Sequence, residues 1–286
     1  MNVLLTGASG FIGSHLARAL RAAEYVVIEA RRDNRGGTAS IRVDFSRDLT
    51  VRDWLPKLAG IDAVINAVGI VREHGAQTFE NIHKRAPQAL FTACVATGVR
   101  RIVQISALGA DRGVAPYFLS KRAADDYLAT LPLEWTIVRP ALVFGPEGSG
   151  ARAFGRLAQL PIVPLPGSGE QRVQPLHVED LSEAVVHLLA DATANRARVD
   201  LVGPQSLNLR ELFAGLRAAK HLSPPRFLPV PMPFVRVAAN VAALRPISPL
   251  DSETLALLES GMRGDPATIR HLLGRAPRTI AVAARQ

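Results

Sequence analysis

The stretch Thr6-Gly7-Ala8-Ser9-Gly10-Phe11-Ile12-Gly13 follows an apolar run from Val3 to Leu5 and precedes a helix-like segment, Ser14 to Ala23. A short buried strand, a glycine turn and a helix N-terminus together leave backbone N–H groups unpaired. The helix dipole adds about half a positive charge there, so the turn is suited to an anion. In such a turn the first glycine lets the chain reverse and the second admits a pyrophosphate close to the backbone. The third lets helix and strand pack tightly. The spacing here is Gly-x-x-Gly-x-x-Gly, and a glycine-rich turn without a ligand is the competing reading until the rest of the chain is considered.

The chain that follows alternates strands and helices. Tyr25 to Arg32 reads as a second strand, Ile41 to Asp44 as a third and Thr50 to Ala59 as a helix. Ala63 to Gly69 reads as a fourth strand and its turn, and Thr78 to Thr97 as a helix. Arg101 to Ser106 is a fifth strand, Tyr117 to Leu128 a helix and Trp135 to Pro140 a sixth strand. This rhythm predicts an α/β fold, a doubly wound parallel sheet of the Rossmann kind, whose ligands lie beyond the carboxyl ends of the strands. Thr6, Gly7, Ser9, Gly10, Phe11, Ile12 and Gly13 at the first strand end are therefore expected to bind a dinucleotide. Asp44 and Phe45 at the third and Asn66, Ala67, Val68 and Gly69 at the fourth are expected to join them. At the second strand end stand Arg31 and Arg32. An acid there binds the 2′-hydroxyl of NAD, whereas a guanidinium accommodates the 2′-phosphate of NADP. Arg31, 18 positions past Gly13, favours NADP, with NAD still possible through Glu29 on the same strand face. The bland alternative is that both arginines are solvated strand-end charges.

Composition narrows the classes. The chain has 286 residues, enough for one large domain or two modest ones, and a formal net charge of +9. The positive charge is mostly arginine, and Lys57, Lys84, Lys121 and Lys220 are the only lysines. The arginines are scattered and aromatic residues make up only 5%. That argues against a nucleic-acid groove with stacking platforms. Cys94 is the single cysteine, so a disulfide framework is excluded and a reducing compartment is expected. No signal-peptide pattern opens the chain, and no apolar run reaches the roughly 20 residues of a membrane span. A cytoplasmic location is expected, with membrane association left open.

Tyr117 and Lys121 are four apart on a helix and so share a face. Free tyrosine, with pKa about 10, is a poor acid/base catalyst near neutrality. A lysine ammonium about 5 Å away favours phenolate by about 3 kcal/mol, roughly two pKa units. Ser106, at a strand end upstream, completes a candidate reactive set.

By their order and wording these segments resemble the extended and atypical short-chain dehydrogenase/reductase superfamily, of NAD-dependent epimerase/dehydratase type. The stretches that carry the resemblance are Thr6–Gly13, Asn66–Gly69, Ser106, Tyr117-Phe118-Leu119-Ser120-Lys121, Val138-Arg139-Pro140, Val143-Phe144-Gly145-Pro146 and Gln174 to Asp180. The run Ser106 to Asp111 is similar to the branch containing the NAD(P)H-binding accessory subunit of respiratory complex I and its bacterial relatives. The resemblance covers about Met1 to Gly203 and weakens from Pro204 onward. It implies that Tyr117 exchanges a proton with a substrate oxygen that Ser106 hydrogen-bonds, and that Lys121 lowers the tyrosine pKa and holds the nicotinamide ribose. Pro140 is expected to contact the cofactor. Where extended members carry an asparagine before the fifth strand, this chain has His83, expected to be a satisfied structural histidine.

The resemblance also implies the organisation of the chain. Residues 1–145 are expected to form the dinucleotide core, with 173–203 returning to it. Residues 146–172 and 204–286 are expected to build a smaller C-terminal substrate lobe. Asp180 reads as the N-cap of a helix from Leu181 to Leu189, with Glu183 completing a capping box. No metal-ligand spacing is present. Val199 to Val202 reads as a strand, Asn208 to Ala219 as a helix and Ser223 to Pro233, with five prolines, as an extended connector. Helices are expected over Phe234–Leu244, Ser252–Ser260 and Pro266–Leu273. Phe234–Leu244 has one narrow polar stripe, Arg236 and Asn240; it is read as buried or, in residues 231–249, as a docking face for a protein or a membrane surface. The expected function is that of an NAD(P)-binding oxidoreductase or epimerase/dehydratase of the short-chain dehydrogenase type, with hydride transfer between NADP(H) and a carbonyl or hydroxyl substrate not identified by the sequence and Tyr117 as acid/base. The alternative is a non-catalytic NAD(P)H-binding accessory, assembly or redox-sensing protein.

Overall fold

The computed structural model describes residues 1–33, 39–145, 147–243, 255, 258, 261 and 263–279. The expected helix over 252–260 lies almost wholly outside these residues, as do Pro146 and positions 244–249 of the proposed docking segment. The chain divides into two compact units, Met1–Pro140 with Leu181–Asp200, and Ala141–Asp180 with Leu201–Gln286. The returning segment is shorter than 173–203. Leu176–His177 pairs with Val143–Phe144, which keeps the stretch before Leu181 in the second unit.

In the first unit, β1 (Asn2–Thr6), β2 (Val26–Arg31), β3 (Ser40–Arg42), β4 (Ala63–Asn66), β5 (Arg101–Ile105) and β6 (Glu134–Pro140) alternate with helices. The helices are α1 (Phe11–Ala22), α2 (Val51–Trp54), α3 (Ala86–Thr97) and α4 (Pro116–Ala129). With the later strand Ala197–Leu201 next to β6, they form a seven-stranded sheet. Its order from the far edge is β3-β2-β1-β4-β5-β6, with parallel pairing from β3 to β6. Alternate residues cover both faces, as a parallel sheet requires. Leu4, Val64, Ile102 and Ile137 pack with Trp54, Leu90, Phe91 and Leu128 of α2, α3 and α4. On the opposite face Val3, Leu5, Ile65 and Val103 are also fully buried. The strand order reverses between β1 and β4, the topological switch point at which such sheets bind ligands.

Two helices of the first unit are interrupted where the sequence expectation ran them through, both at a proline. The segment after Thr50 is α-helical only through Trp54 and tightens to a 3₁₀ turn over Leu55–Lys57, because Pro56 cannot donate a backbone hydrogen bond. The segment expected as one helix from Thr78 to Thr97 contains a π turn, Glu80–Arg85, in which Ala86 N–H reaches Asn81 O. Pro87 lies four residues after His83 and has no N–H to give its carbonyl, so the α-helical ladder is interrupted there.

The second unit contains β7 (Val143–Phe144), α5 (Ser149–Leu157), β8 (Ile162–Pro166), β9 (Arg172–Val173) and β10 (Leu176–His177). The helix α6 (Val178–Ala190) and strand β11 (Ala197–Leu201) run through the return to the first unit. Then come β12 (Leu207–Asn208), α7 (Leu209–Ala219), β13 (Arg226–Val230), α8 (Met232–Ala243) and α9 (Ala267–Leu273). Asn208 caps α7 in a reciprocal box with Glu211, each bond 2.8 Å. The proline-rich connector is β13, paired in parallel with β8, in which Pro229 needs no donor of its own. Val163, Leu165, Leu212, Phe213 and Leu216 form the core of this unit. On α8, Phe234 and Val237 are 68% and 63% exposed, so the helix is not wholly buried.

Asp180 is not an N-cap: α6 begins at Val178, and Asp180 is fully buried within its first turn. Its carboxylate accepts from Arg275 at 2.8 Å and from the backbone and side chain of Arg278. The C-terminal segment is thereby fastened to the start of α6. Asp180→Ala is expected to lower stability by about 2 kcal/mol, less than the 3–5 kcal/mol of a fully buried pair because both guanidinium groups keep about a third of their exposure. Urea unfolding of the variant at neutral pH measures this.

Candidate active site

The first glycine turn is built as its residue types demand. Gly7 has φ +74°, and a Cβ on it would stand 2.8 Å from the backbone of Ala67. Only glycine allows β1 and β4 to end so close together. Gly10 begins α1, its N–H bonded to Gly7 O at 2.9 Å, and Phe11 and Ile12 are the first, half-buried residues of that helix. Thr6 and Asn66 are fully buried and point into the sheet: Thr6 Oγ1 donates to Asn66 Oδ1 at 2.6 Å, and Asn66 Nδ2 to Gln104 Oε1 at 2.8 Å. Their side chains fix the strand ends and do not face the cleft.

Beyond those ends lies a cleft of about 160 Å³, several times the roughly 30 Å³ share of one water. Gly7, Ser9 and Gly10 form one wall, with Ala67, Val68 and Gly69 opposite. Val43, Asp44 and Phe45 line the end beside β2 and β3. Ile70, Gln77 and Ile82 also line it, contributed by residues that carry no motif. Asp44 remains anionic: burial would raise its pKa, but the hydroxyl and N–H of Ser46 donate to it and hold it below the usual range. The glycine cradle, the half-buried carboxylate and the apolar Val43 and Phe45 fit an adenine dinucleotide.

The arginine pair is divided. Arg31 Nε bonds Glu29 Oε2 at 2.6 Å, and Arg21 takes the other oxygen at 2.5 Å. Burial would raise the Glu29 pKa, but the two guanidinium groups hold it down, so Glu29 is committed to them. Arg32, not Arg31, lines the cleft.

The reactive set stands at the ends of β5 and α4. Lys121 is buried, with Nζ donating to Ile105 O at 3.1 Å. A Cβ on Gly69 would lie 3.0 Å from that Nζ and 3.5 Å from His83 Nε2. The helix that carries Tyr117 and the cleft wall therefore meet at Gly69. Tyr117 is half-buried among rings, with centroids 5.6 Å from His83, 6.2 Å from Phe79 and 5.5 Å from Phe118. Burial and then the charge of Asp125 push its pKa up to about 12. This is opposite to the expected lowering: burial brings the Lys121 pKa itself down to about 8, and its ammonium spends a hydrogen bond on Ile105. Ser106 is buried and its hydroxyl donates to Asp125 Oδ2. Pro140 is buried at the end of β6, its carbonyl accepting the Leu108 N–H at 2.9 Å.

His83 sits in the π turn with both nitrogens engaged, Nε2 accepting from Ile70 N–H at 3.0 Å and Nδ1 at 2.9 Å from Ser120 Oγ. Ser120 in turn donates to Tyr117 O at 2.8 Å, which leaves Nδ1–H as the donor to Ser120. Burial, then Lys121, lowers the histidine pKa to about 2, so the ring is neutral. It is a satisfied structural histidine. Asp125 was missed by the sequence reading, although its place eight residues past Tyr117 and four past Lys121 put it on the same helix face. Cys94 is fully buried and its thiol pKa is raised by burial alone. Among the described residues no group of three or more His, Cys, Asp or Glu is arranged to hold a metal, and no helix is long and apolar enough to cross a membrane.

A parallel sheet with a glycine cradle at its switch point and a Tyr–Lys helix beside it defines a nicotinamide-dinucleotide-binding protein of the short-chain dehydrogenase type. The pattern of the NAD dependent epimerase/dehydratase family matches residues 3–202, and the chain belongs to that family. It is similar to the ceramide reductase of Caulobacter vibrioides, 27% identical over 253 residues, covering 82% of this chain and 75% of the relative. It is also similar to the mitochondrial NADH dehydrogenase (ubiquinone) 1 alpha subcomplex subunit 9 of Mus musculus, 26% identical over 259 residues, covering 87% and 68%. Among solved structures, a nucleoside-diphosphate-sugar epimerase from Staphylococcus aureus shares the fold at TM-score 0.81 and 18% identity, with all of both chains covered. The UDP-glucuronic acid 4-epimerase of Bacillus cereus, in complex with UDP-glucuronic acid and NAD, does so at TM-score 0.74 and 18% identity, covering 99% and 96%.

Proposed function

We propose that this protein is an NADP(H)-dependent oxidoreductase that interconverts a carbonyl and a hydroxyl group on a small organic substrate. The observation that carries the reading is the approach at Gly69, where a Cβ on the cleft wall would come within 3.0 Å of the Lys121 ammonium on the helix of Tyr117. Gly7, Ser9, Gly10, Asp44, Phe45, Ala67, Val68 and Gly69 would hold the dinucleotide, with Lys121 at its nicotinamide-ribose end. When bound, the dinucleotide supplies or accepts the hydride. Tyr117 moves the proton to or from the substrate oxygen, and Ser106 hydrogen-bonds that oxygen. Lys121 opposes the high pKa of the half-buried phenol by favouring phenolate. The ceramide reductase relative supports a reductase, and the epimerase fold neighbours are compatible with the same acid/base group.

NADP is favoured by Arg32, which lines the cleft at the end of β2, and by Glu29, which Arg21 and Arg31 occupy. Arg32→Ala should weaken NADPH relative to NADH by about 10- to 100-fold, the worth of a charge-assisted hydrogen bond. Arg31→Ala should change that ratio less. Fluorescence titration with both dinucleotides reads these ratios, and an equal loss for NADPH and NADH in Arg32→Ala would remove the 2′-phosphate assignment.

Tyr117→Phe should leave NADPH binding unchanged and lower turnover at least about 100-fold, measured on substrates found in a carbonyl and sugar-nucleotide screen. A second reading is supported by the high pKa of Tyr117, the engaged Ser106 and the similarity to the complex I subunit. It is a protein that retains its dinucleotide as a structural or sensing ligand, with Phe234 and Val237 of α8 exposed toward a partner. A copurified dinucleotide that neither exchanges nor turns over would favour it.

A further inference from the structure

Asp125 is 4% exposed, yet among the described residues no basic group is in hydrogen-bond contact with it. Its Oδ2 accepts from the Ser106 hydroxyl, and its Oδ1 is buried with no hydrogen-bond partner among the described residues. A carboxylate in that position leaves a charged oxygen unsatisfied, whereas a neutral acid tolerates a bare carbonyl oxygen far better. Around it stand Lys121, Asp126 and Tyr117 on its own helix, Arg198 on β11, and Ser106 at the end of β5. Burial raises its pKa, and Asp126 adds to that. The bond from Ser106 and the charges of Lys121 and Arg198 pull the other way, with Arg198 itself paired to Asp126 at 2.7 Å. The net position is about 6, within reach of ordinary pH.

A serine hydroxyl has one proton and two lone pairs. While Asp125 is ionised, that proton is committed to Oδ2 and Ser106 offers the site only an acceptor. When Asp125 holds a proton on Oδ2, it donates to Ser106 Oγ and the serine proton becomes free to donate elsewhere. We propose that Asp125 is a positioning residue that sets the hydrogen-bond polarity of Ser106, making it a donor to a carbonyl when Asp125 is protonated and an acceptor from an alcohol when it is ionised. The same proton acts on Tyr117, because neutralising Asp125 removes a charge that opposes the phenolate. The assignment of the carbonyl and alcohol rests on the function proposed above; the switch between Ser106 and Asp125 does not.

The test is a ¹³C NMR titration of the full chain, labelled at aspartate and serine, between about pH 4 and pH 8. The Asp125 carboxyl, identified by its loss in Asp125→Asn, should titrate near neutrality, and higher in Ser106→Ala, which lacks the donated bond. The Ser106 Cβ resonance should shift with the same midpoint, and that step should vanish in Asp125→Asn. In parallel, with NADPH and 9,10-phenanthrenequinone as the carbonyl probe, reduction should fall by up to about tenfold per pH unit above that midpoint, and Asp125→Asn should lose the inflection. A Ser106 resonance without a step at the Asp125 midpoint overturns the proposal even if turnover is intact. A step without turnover of any carbonyl or sugar-nucleotide overturns the function proposed above and leaves the switch standing.

Discussion

Gly13→Ala should remove both dinucleotide binding and much of the stability of the first unit. A Cβ at Gly13 would lie 2.0 Å from Gly7 O, 2.6 Å from Gly7 C and 2.9 Å from Ala8 Cα. All three are backbone atoms of the turn, so no side chain can swing aside. Relief requires α1 to move off the end of β1, which exposes the packing of Leu16 and Leu20 and displaces the N–H groups at the start of the helix. The cost should exceed the roughly 1–3 kcal/mol of ordinary overpacking and reach the range of exceptional point mutations, above about 4 kcal/mol. Gly10→Ala is the internal comparison: its Cβ would meet only Gly7 O, at 3.2 Å, and the turn can yield by a few tenths of an ångström. Thermal unfolding and NADPH titration of the two variants should separate them widely. A Gly13→Ala protein with native melting and binding would show that the helix does not sit directly on the turn.

The second large effect is a loss of stability in acid that belongs to one residue. His83 is neutral in the fold with a pKa near 2, against 6.5 in the unfolded chain. Below pH 6.5 the unfolded state therefore binds a proton that the native state refuses. The stabilisation is complete above that pH and declines as pH falls toward 2. The difference amounts to about 3 kcal/mol by pH 4 and about 6 kcal/mol at the acid limit. His83→Gln should keep the hydrogen bonds to Ile70 and Ser120 without binding a proton. Its urea midpoint should change less with pH between about 6.5 and 4 than that of the parent. Parallel pH profiles for the two proteins would refute the isolated-histidine account.

Most of the first unit was legible because its signals are long and repeated. Six strands and their helices show in the alternation of apolar runs, and Gly7, Gly10 and Gly13 mark the cradle by residue type alone. Pro56 and Pro87 announce where helices break, though a periodicity count passes over both. The second unit was less legible: β7, β9, β10 and β12 are two residues each, too short for a period, and β13 is hidden among prolines. Within the site, the sequence singled out Ser106, Tyr117 and Lys121 but not what each is bonded to. Arg31 and Arg32 are adjacent and alike in composition; only the ion pair with Glu29 distinguishes them. Asp180 looked like a cap because it opens an apolar stretch and is followed three positions later by Glu183, while its partners Arg275 and Arg278 are more than ninety residues away. Long-range pairing of charges leaves no local trace.

The π turn ahead of α3 has a consequence for how this segment tolerates insertions and deletions. Its bonds span five residues where an α-helix spans four, so it stores one residue of slack just before Pro87. Removing a single residue there would take up that slack, although Pro87 would still leave one carbonyl of the preceding turn without a backbone donor. It would also turn everything upstream by about 100° around the helix axis. Phe79, which stacks on His83, and the cleft-lining Ile82 would leave their stations together. The length of this segment is therefore tied to the reactive site it faces.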